Sequence, residues 1–122
     1  MDANPDAAPP APEADYLHLP WKTTSWPGVR LHFIESSADG SARVLIAMDP
    51  GVGYPPHRHL GEEEVFVVRG SYADAAGDYA AGSFQRNPKG SAHHPVAGPD
   101  GALLLAWAEA GIEILAEPPA SR

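Results

Sequence analysis

Residues 51–70 read GVGYPPHRHLGEEEVFVVRG, and the reading of this stretch decides the fold. Within Pro55-Pro56-His57-Arg58-His59 the two histidines are separated by one residue. On an extended segment side chains alternate faces with a period of two, so His57 and His59 point the same way. Glu63 lies an even number of residues further on. It rejoins that face if the segment stays extended or bends regularly at Gly61. Two imidazoles and a carboxylate converging on one point make half of a metal site. Glu63 also opens a β-rich run, Glu63 to Arg69, closed by Gly70.

Outward from this stretch the chain reads as strand after strand. Val29 to Glu35 and Ala42 to Met48 precede it, with the turn SSADGS between them. Residues 50–56 are punctuation. After Gly70, an Ala-Gly-Asp turn at 76–78 marks a hairpin. Gly82 and Pro88 bracket a short strand, Ser83 to Arg86, and His93 to Val96 forms another. Ala102 to Ala108 is strongly apolar; it is short, lies between Gly101 and Gly111, and follows a series of strands, so it is read as a strand rather than a helix. Ile112 to Leu115 closes the domain. Short strands about ten residues apart indicate an all-β sandwich or barrel. Pro (14) and Gly (12) scattered along the chain suit the many turns this requires.

The chain has 122 residues, which suits one domain. Residues 1–15 lack the apolar side chains to repay ordering, so they are expected to be a disordered N-terminal tail. The domain is expected over 16–117, with a short tail at 118–122 after Pro118 and Pro119. The N-terminal residues contain neither a basic nor an apolar signal region, and no run of about 18 apolar residues is present to span a membrane. With no cysteine there is no disulfide framework, thiolate site or Cys nucleophile, in keeping with a cytoplasmic location. A formal net charge of -8 repels phosphate backbones and argues against nucleic acid as a partner.

A third imidazole for the metal must come from elsewhere. His93 and His94 are adjacent, so on a strand only one faces inward, and spacing alone leaves the choice open. His18 and His32 read as surface or half-buried residues. Phe66, Trp107, Tyr54 and Tyr72 read as packing residues, with Trp107 and Tyr54 candidates to line a ligand cavity. Arg86 reads as one half of an ion pair.

The motifs also resemble a known family. Gly51, five residues, His57-Arg58-His59, three residues, Glu63, six residues, Gly70 resembles the first motif of the cupin superfamily. Gly82, five residues, Pro88, one residue, Gly90, two residues, His93 resembles the second. The family's Asn four residues after that His is Ala97 in this chain. The wider text, from Trp26-Pro27-Gly28-Val29 to Arg86-Asn87-Pro88-Lys89-Gly90-Ser91, resembles the cupin domain of ChrR-type anti-sigma factors.

This resemblance implies a cupin (RmlC-like) jelly-roll β-barrel, a double-stranded β-helix. It implies His57, His59, Glu63 and His93 as metal ligands, choosing His93 over His94. It also implies a homodimer. The sigma-binding half of ChrR-type proteins, a helical domain with a His/Cys zinc site, has no counterpart in this sequence, so the chain is not expected to be a complete anti-sigma factor.

Three neutral imidazoles and one carboxylate leave a divalent ion with a net charge of +1. The donor set suits Fe(II), Mn(II), Ni(II), Co(II) or Zn(II) rather than Cu(I). An octahedral ion held by four protein ligands keeps two positions for a small-molecule substrate and dioxygen. With those open positions, the resemblance to the cupin dioxygenases that cleave β-diketones implies a metal-dependent dioxygenase acting on a small diketone-like carbonyl compound. The alternative is a non-catalytic, metal-dependent small-molecule sensor.

Overall fold

The computed structural model describes residues 18–119. The expected tail at 1–15, the start of the domain at Tyr16 and the last three residues of the 118–122 tail lie outside the described residues. The strands are Lys22–Thr23 (β1), Val29–Ser36 (β2), Ala42–Met48 (β3), His57–His59 (β4), Glu63–Asp74 (β5), Gly77–Ala80 (β6), Phe84–Asn87 (β7), Ala92–His93 (β8), Val96–Ala108 (β9) and Ile112–Ile114 (β10). No α-helix occurs among the described residues, and no helix is long and apolar enough to cross a membrane.

The strands form two antiparallel sheets. The large sheet runs β1-β2-β3-β9-β5-β6, with β7 also pairing β5; the small sheet runs β10-β4-β8. Both sheets contribute to the walls of one cavity, the large one through Leu31, Val44 and Val65, the small one through His57, His93 and Ile112. This is the all-β jelly-roll architecture expected from the motifs, with β9 inserted between β3 and β5 in the large sheet and β4 between β10 and β8 in the small one.

Alternation explains which face is buried. Along β3, Val44, Ile46 and Met48 are buried while Arg43, Leu45 and Ala47 between them are not. Along β5, Glu63, Val65 and Val67 point inward and Glu64, Phe66 and Val68 point out. Val44, Ile46, Met48, Val65 and Val67 join Leu104 and Ala106 of β9 in one apolar core. Burying each Val or Leu side chain contributes about 1.5–3 kcal/mol.

Several elements differ from the sequence reading. Gly70 does not close a strand: β5 runs through it to Asp74. Bulges between Val67 and Arg69 and between Gly70 and Tyr72 bend the strand there, and Gly70 adopts φ 71°. A side chain at Gly70 would collide with the carbonyl oxygen of Gly101 across the ladder, so only glycine lets the backbones approach. The hairpin turn falls at Ala75-Ala76, one residue before the expected Ala-Gly-Asp, because Asp74 pairs with Gly77. His93 to Val96 is two strands, with His93 ending β8 and Val96 opening β9 around Pro95. Pro95 has no amide hydrogen to give a ladder. Ala97 stands within β9, its amide bonded to the Val52 carbonyl at 2.8 Å.

Candidate metal centre

His57 and His59 come from β4 and His93 from β8, which pairs with it: His57 sits opposite His93 in the ladder. The period-two argument holds for the first two, since both are buried and exposed Arg58 lies between them. It does not explain Glu63. The chain leaves the small sheet at Leu60–Glu62, and Glu63 opens β5 in the large sheet. Parity has meaning only within one strand; Glu63 reaches the site because the two sheets face each other across it. The amide of Asn87, its register partner on β7, donates to Glu63 Oε1 at 3.0 Å and fixes the carboxylate.

The donor atoms of these four residues lie within 4.8 Å of one another. His57 Nε2 stands 3.2 Å from His59 Nε2 and 3.1 Å from His93 Nε2. His59 Nε2 stands 3.1 Å from Glu63 Oε1. His94, by contrast, is exposed and belongs to no such cluster.

What lies behind the rings decides their chemistry. His57 Nδ1 meets the Pro55 carbonyl at 2.8 Å. His59 Nδ1 meets the Ser91 carbonyl and Ser91 Oγ, each at 3.0 Å, and that hydroxyl already donates to the Pro88 carbonyl. His93 Nδ1 meets Asp74 Oδ2 at 2.8 Å. Each of these partners accepts, so each Nδ1 carries the proton and each Nε2 presents a lone pair. Lone pairs facing one another at 3.1–3.2 Å repel. One added proton cannot serve both Nε2–Nε2 contacts, whereas a cation among them satisfies every donor atom at once.

The spacing also bears on coordination number. Nitrogen donors about 2.1 Å from one ion stand about 3.0 Å apart at right angles and about 3.4 Å apart at the tetrahedral angle. The two contacts at 3.1 Å are nearer the right-angled value, and the one at 3.2 Å falls midway between the two. The cluster is thus compatible with a metal ion that keeps open positions.

Electrostatics support neutral ligands. Burial, only partly offset by the bond to the Pro55 carbonyl, pushes His57 down to about 4. Asp74 is the residue that sequence reasoning missed. Burial works against its charge, but bonds from Gln85, His93 and the Ala76 amide outweigh this and hold its pKa below the ordinary value. Gln85 ties it further: its amide nitrogen donates to Asp74 at 3.0 Å and to the Tyr79 hydroxyl at 2.9 Å, and its oxygen accepts from Tyr72. The signal available was Asp74 at the end of a strand opposite the second motif; the bulges in β5 hid which way it points. Glu62 and Glu64, which flank Glu63, are exposed.

The cluster borders a cavity of about 350 Å³. Beyond His57, Glu63 and His93 its walls are almost entirely apolar, and no Lys or Arg lines it among the described residues. Tyr54 lines it as expected, edge-on to His57 with ring centroids 5.1 Å apart. Burial first, and the Glu63 charge second, push the Tyr54 phenol up to about 12. Trp107 does not line it: it stands on the outer face of the large sheet. Arg86 pairs with Glu64 on that face at 3.8 Å, as its ion-pair reading anticipated.

Comparison with known proteins agrees with this architecture. The chain is 31% identical over 97 residues to the anti-sigma-E factor ChrR of Cereibacter sphaeroides, a match covering 75% of this chain and 45% of that protein. The chain thus spans less than half the length of that relative. Its structure is similar to Rhodobacter sphaeroides ChrR in complex with SigE, with a TM-score of 0.68 and 25% identity over 75% of this chain and 49% of the other. It also shares its fold with an acetylacetone dioxygenase from Acinetobacter johnsonii, with a TM-score of 0.71 and 16% identity over 96% of this chain and 84% of the other. The profile of one family covers residues 14–110, both motifs included, and on that match the chain belongs to the ChrR cupin-like domain family.

Proposed function

We propose that His57, His59, Glu63 and His93 hold a divalent ion, of iron, manganese, nickel or zinc, and that the site oxidises a small diketone-like carbonyl compound with dioxygen. The observation that carries this reading is the convergence of three Nε2 lone pairs and one carboxylate oxygen at the wall of an apolar cavity. A bound ion would polarise a carbonyl oxygen and hold oxygen beside it.

The rest of the chain determines what can enter. A cavity of about 350 Å³ is at the small end of ligand pockets, which run about 300–1,000 Å³. With Asp74 counted beside Glu63, two carboxylates balance a divalent ion, so an uncharged ligand enters without burying net charge. The absence of a lining Lys or Arg among the described residues argues against a second anionic group on the ligand. Tyr54, a neutral phenol beside His57, is placed to donate a hydrogen bond to a ligand oxygen. Val44, Ile46, Val65 and Leu104 supply a dry wall against its apolar part.

The test is oxygen uptake by protein loaded anaerobically with Fe(II) or Mn(II) and presented with a panel of β-diketones. Uptake that disappears in His59→Ala supports the reading. No uptake with any diketone, by protein shown to hold one ion per chain, removes it.

A second reading, a metal-dependent sensor of small molecules, is favoured by the likeness to ChrR. It predicts that a diketone perturbs the spectrum of the Co(II)-loaded protein while no oxygen is consumed.

A further inference from the structure

The cavity beside the cluster is a slot with a direction. In the ladders of the large sheet Glu63 on β5 stands opposite Ala108 on β9, and Ala108 opposite Ala42 on β3. All three line the cavity. The next inward row reads Val65, Ala106, Val44, Phe33 and ends on β2. The floor is therefore lowest in the row of Glu63 and stays low for two strands. The roof comes from the small sheet. Ile112 pairs with His59 and Ile114 with His57, and both isoleucines line the cavity.

The slot runs from a dry end to a wet one. Val65 is 5% exposed and Ala108 8%, whereas Ile114 is 39% exposed and Phe33 44%. Strands spaced about 4.8 Å apart put β2 about 14 Å from β5, so the slot crosses three strand spacings before it meets water. One flank is fixed. The turns at Gly40 and Gly111 touch, so that a Cβ on Gly40 would stand 2.8 Å from the Ala110 carbonyl oxygen. The Ala110 amide also donates to Ser41 Oγ at 3.0 Å and ties the two turns together.

Packing alone does not ask for this space. Further along the same strands Leu104 and Ile46 face each other and fill the core. Alanine in their place leaves apolar volume empty, which costs stability. Tyr54 adds a polar group that points to a ligand. Its phenol is buried beside His57, lines the same cavity and has no hydrogen-bond partner among the described residues. A diketone with a methyl group at each end is too short to cover Ala42, which lies about 10 Å from Glu63 across two strand spacings.

From this we infer that the slot over Ala108 and Ala42 takes one long apolar substituent, an unbranched alkyl chain or a flat ring, of the ligand held at the cluster. Ala42 and Ala108 are then the residues that determine specificity for that substituent. The inference rests on the proposed metal-bound ligand for its anchor and adds what that ligand carries.

The test is ligand binding to the full chain loaded with Co(II), read from its visible spectrum without any turnover. Two series are compared. One is acetylacetone and its analogues in which one methyl is lengthened to propyl, pentyl or heptyl. The other is hydroxamic acids with the same tails, which chelate a divalent ion whether or not diketones do. In both, each added methylene is expected to tighten binding about fourfold, equivalent to about 0.8 kcal/mol. The gain levels off once the tail emerges between Phe33 and Ile114. Ala42→Leu is expected to flatten the dependence, so that the pentyl compound binds no better than the methyl one, with one ion per chain retained and circular dichroism unchanged. Ala108→Leu is expected to do the same.

Affinity that does not rise with tail length in wild type overturns the inference, and this measurement needs no variant to fold. So does a rise that survives in both folded variants. Hydroxamic acids that show the rise while no diketone binds would remove the diketone reading and uphold the slot. No spectral change with either series overturns both.

Discussion

Asp74 keeps a carboxylate inside the protein at 3% side-chain exposure, on the far side of His93 from the other rings. A carboxylate behind a ligating imidazole fixes its tautomer and raises its basicity, and removing such a partner costs about 10–100-fold in metal affinity. Asp74→Asn should therefore weaken metal binding by about that factor in a chelator competition while leaving circular dichroism unchanged. His59, 1% exposed, contributes a donor atom directly. His59→Ala should abolish metal retention, measured by elemental analysis after gel filtration, yet leave the sheets folded because their ladders do not use that side chain. His57 gives a pH dependence. The unfolded chain takes up a proton at this residue near pH 6.5, the folded metal-free chain only near pH 4. Between those values the unfolded state binds more protons, so acid draws the equilibrium toward it. The melting temperature of metal-free protein should fall as the pH drops from about 6.5 to about 4, and this residue should add no pH dependence above that window.

At the scale of elements, Gly70 is the position where one side chain would do most harm. Gly70→Ala brings a methyl onto the Gly101 carbonyl oxygen as well as straining a φ of 71°. Gly51 has nearly the same φ, 72°, with nothing within 4 Å of a built Cβ. Gly70→Ala should thus lower the urea-unfolding free energy by clearly more than Gly51→Ala, for which about 1 kcal/mol is expected from the dihedral alone. The same strand shows where sequence reading stops. In β3 alternation is unbroken, since Val44, Ile46 and Met48 bury one face. In β5 the bulges around Gly70 advance the register, so the inward set passes from Glu63, Val65 and Val67 to Tyr72. A fixed period of two cannot follow that step, and Asp74 was lost with it. β1 was missed because Lys22 and Thr23 are exposed and have no apolar pattern. All four cluster residues were named from short-range spacing and the motifs. The place of Glu63 in the other sheet was not, because it depends on how the chain turns at Leu60–Glu62.

For the whole molecule, the cavity and the cluster are separable. Ala42 lines the cavity from β3 and contributes nothing to the cluster. Ala42→Phe should leave metal stoichiometry at the wild-type value while weakening the binding of a diketone at least tenfold, read from the ligand-induced spectrum of the Co(II) form. Loss of metal together with ligand would show that the two parts are not independent. The division of the cluster between the sheets has a kinetic consequence. On the proposed reading an ion ties three imidazoles of the small sheet to one carboxylate of the large one, and the rings bury it from behind. A chelator too large to enter the cavity can reach such an ion only after the sheets part. The rate of metal removal should then level off as chelator is increased, and the plateau is the frequency at which the sandwich opens.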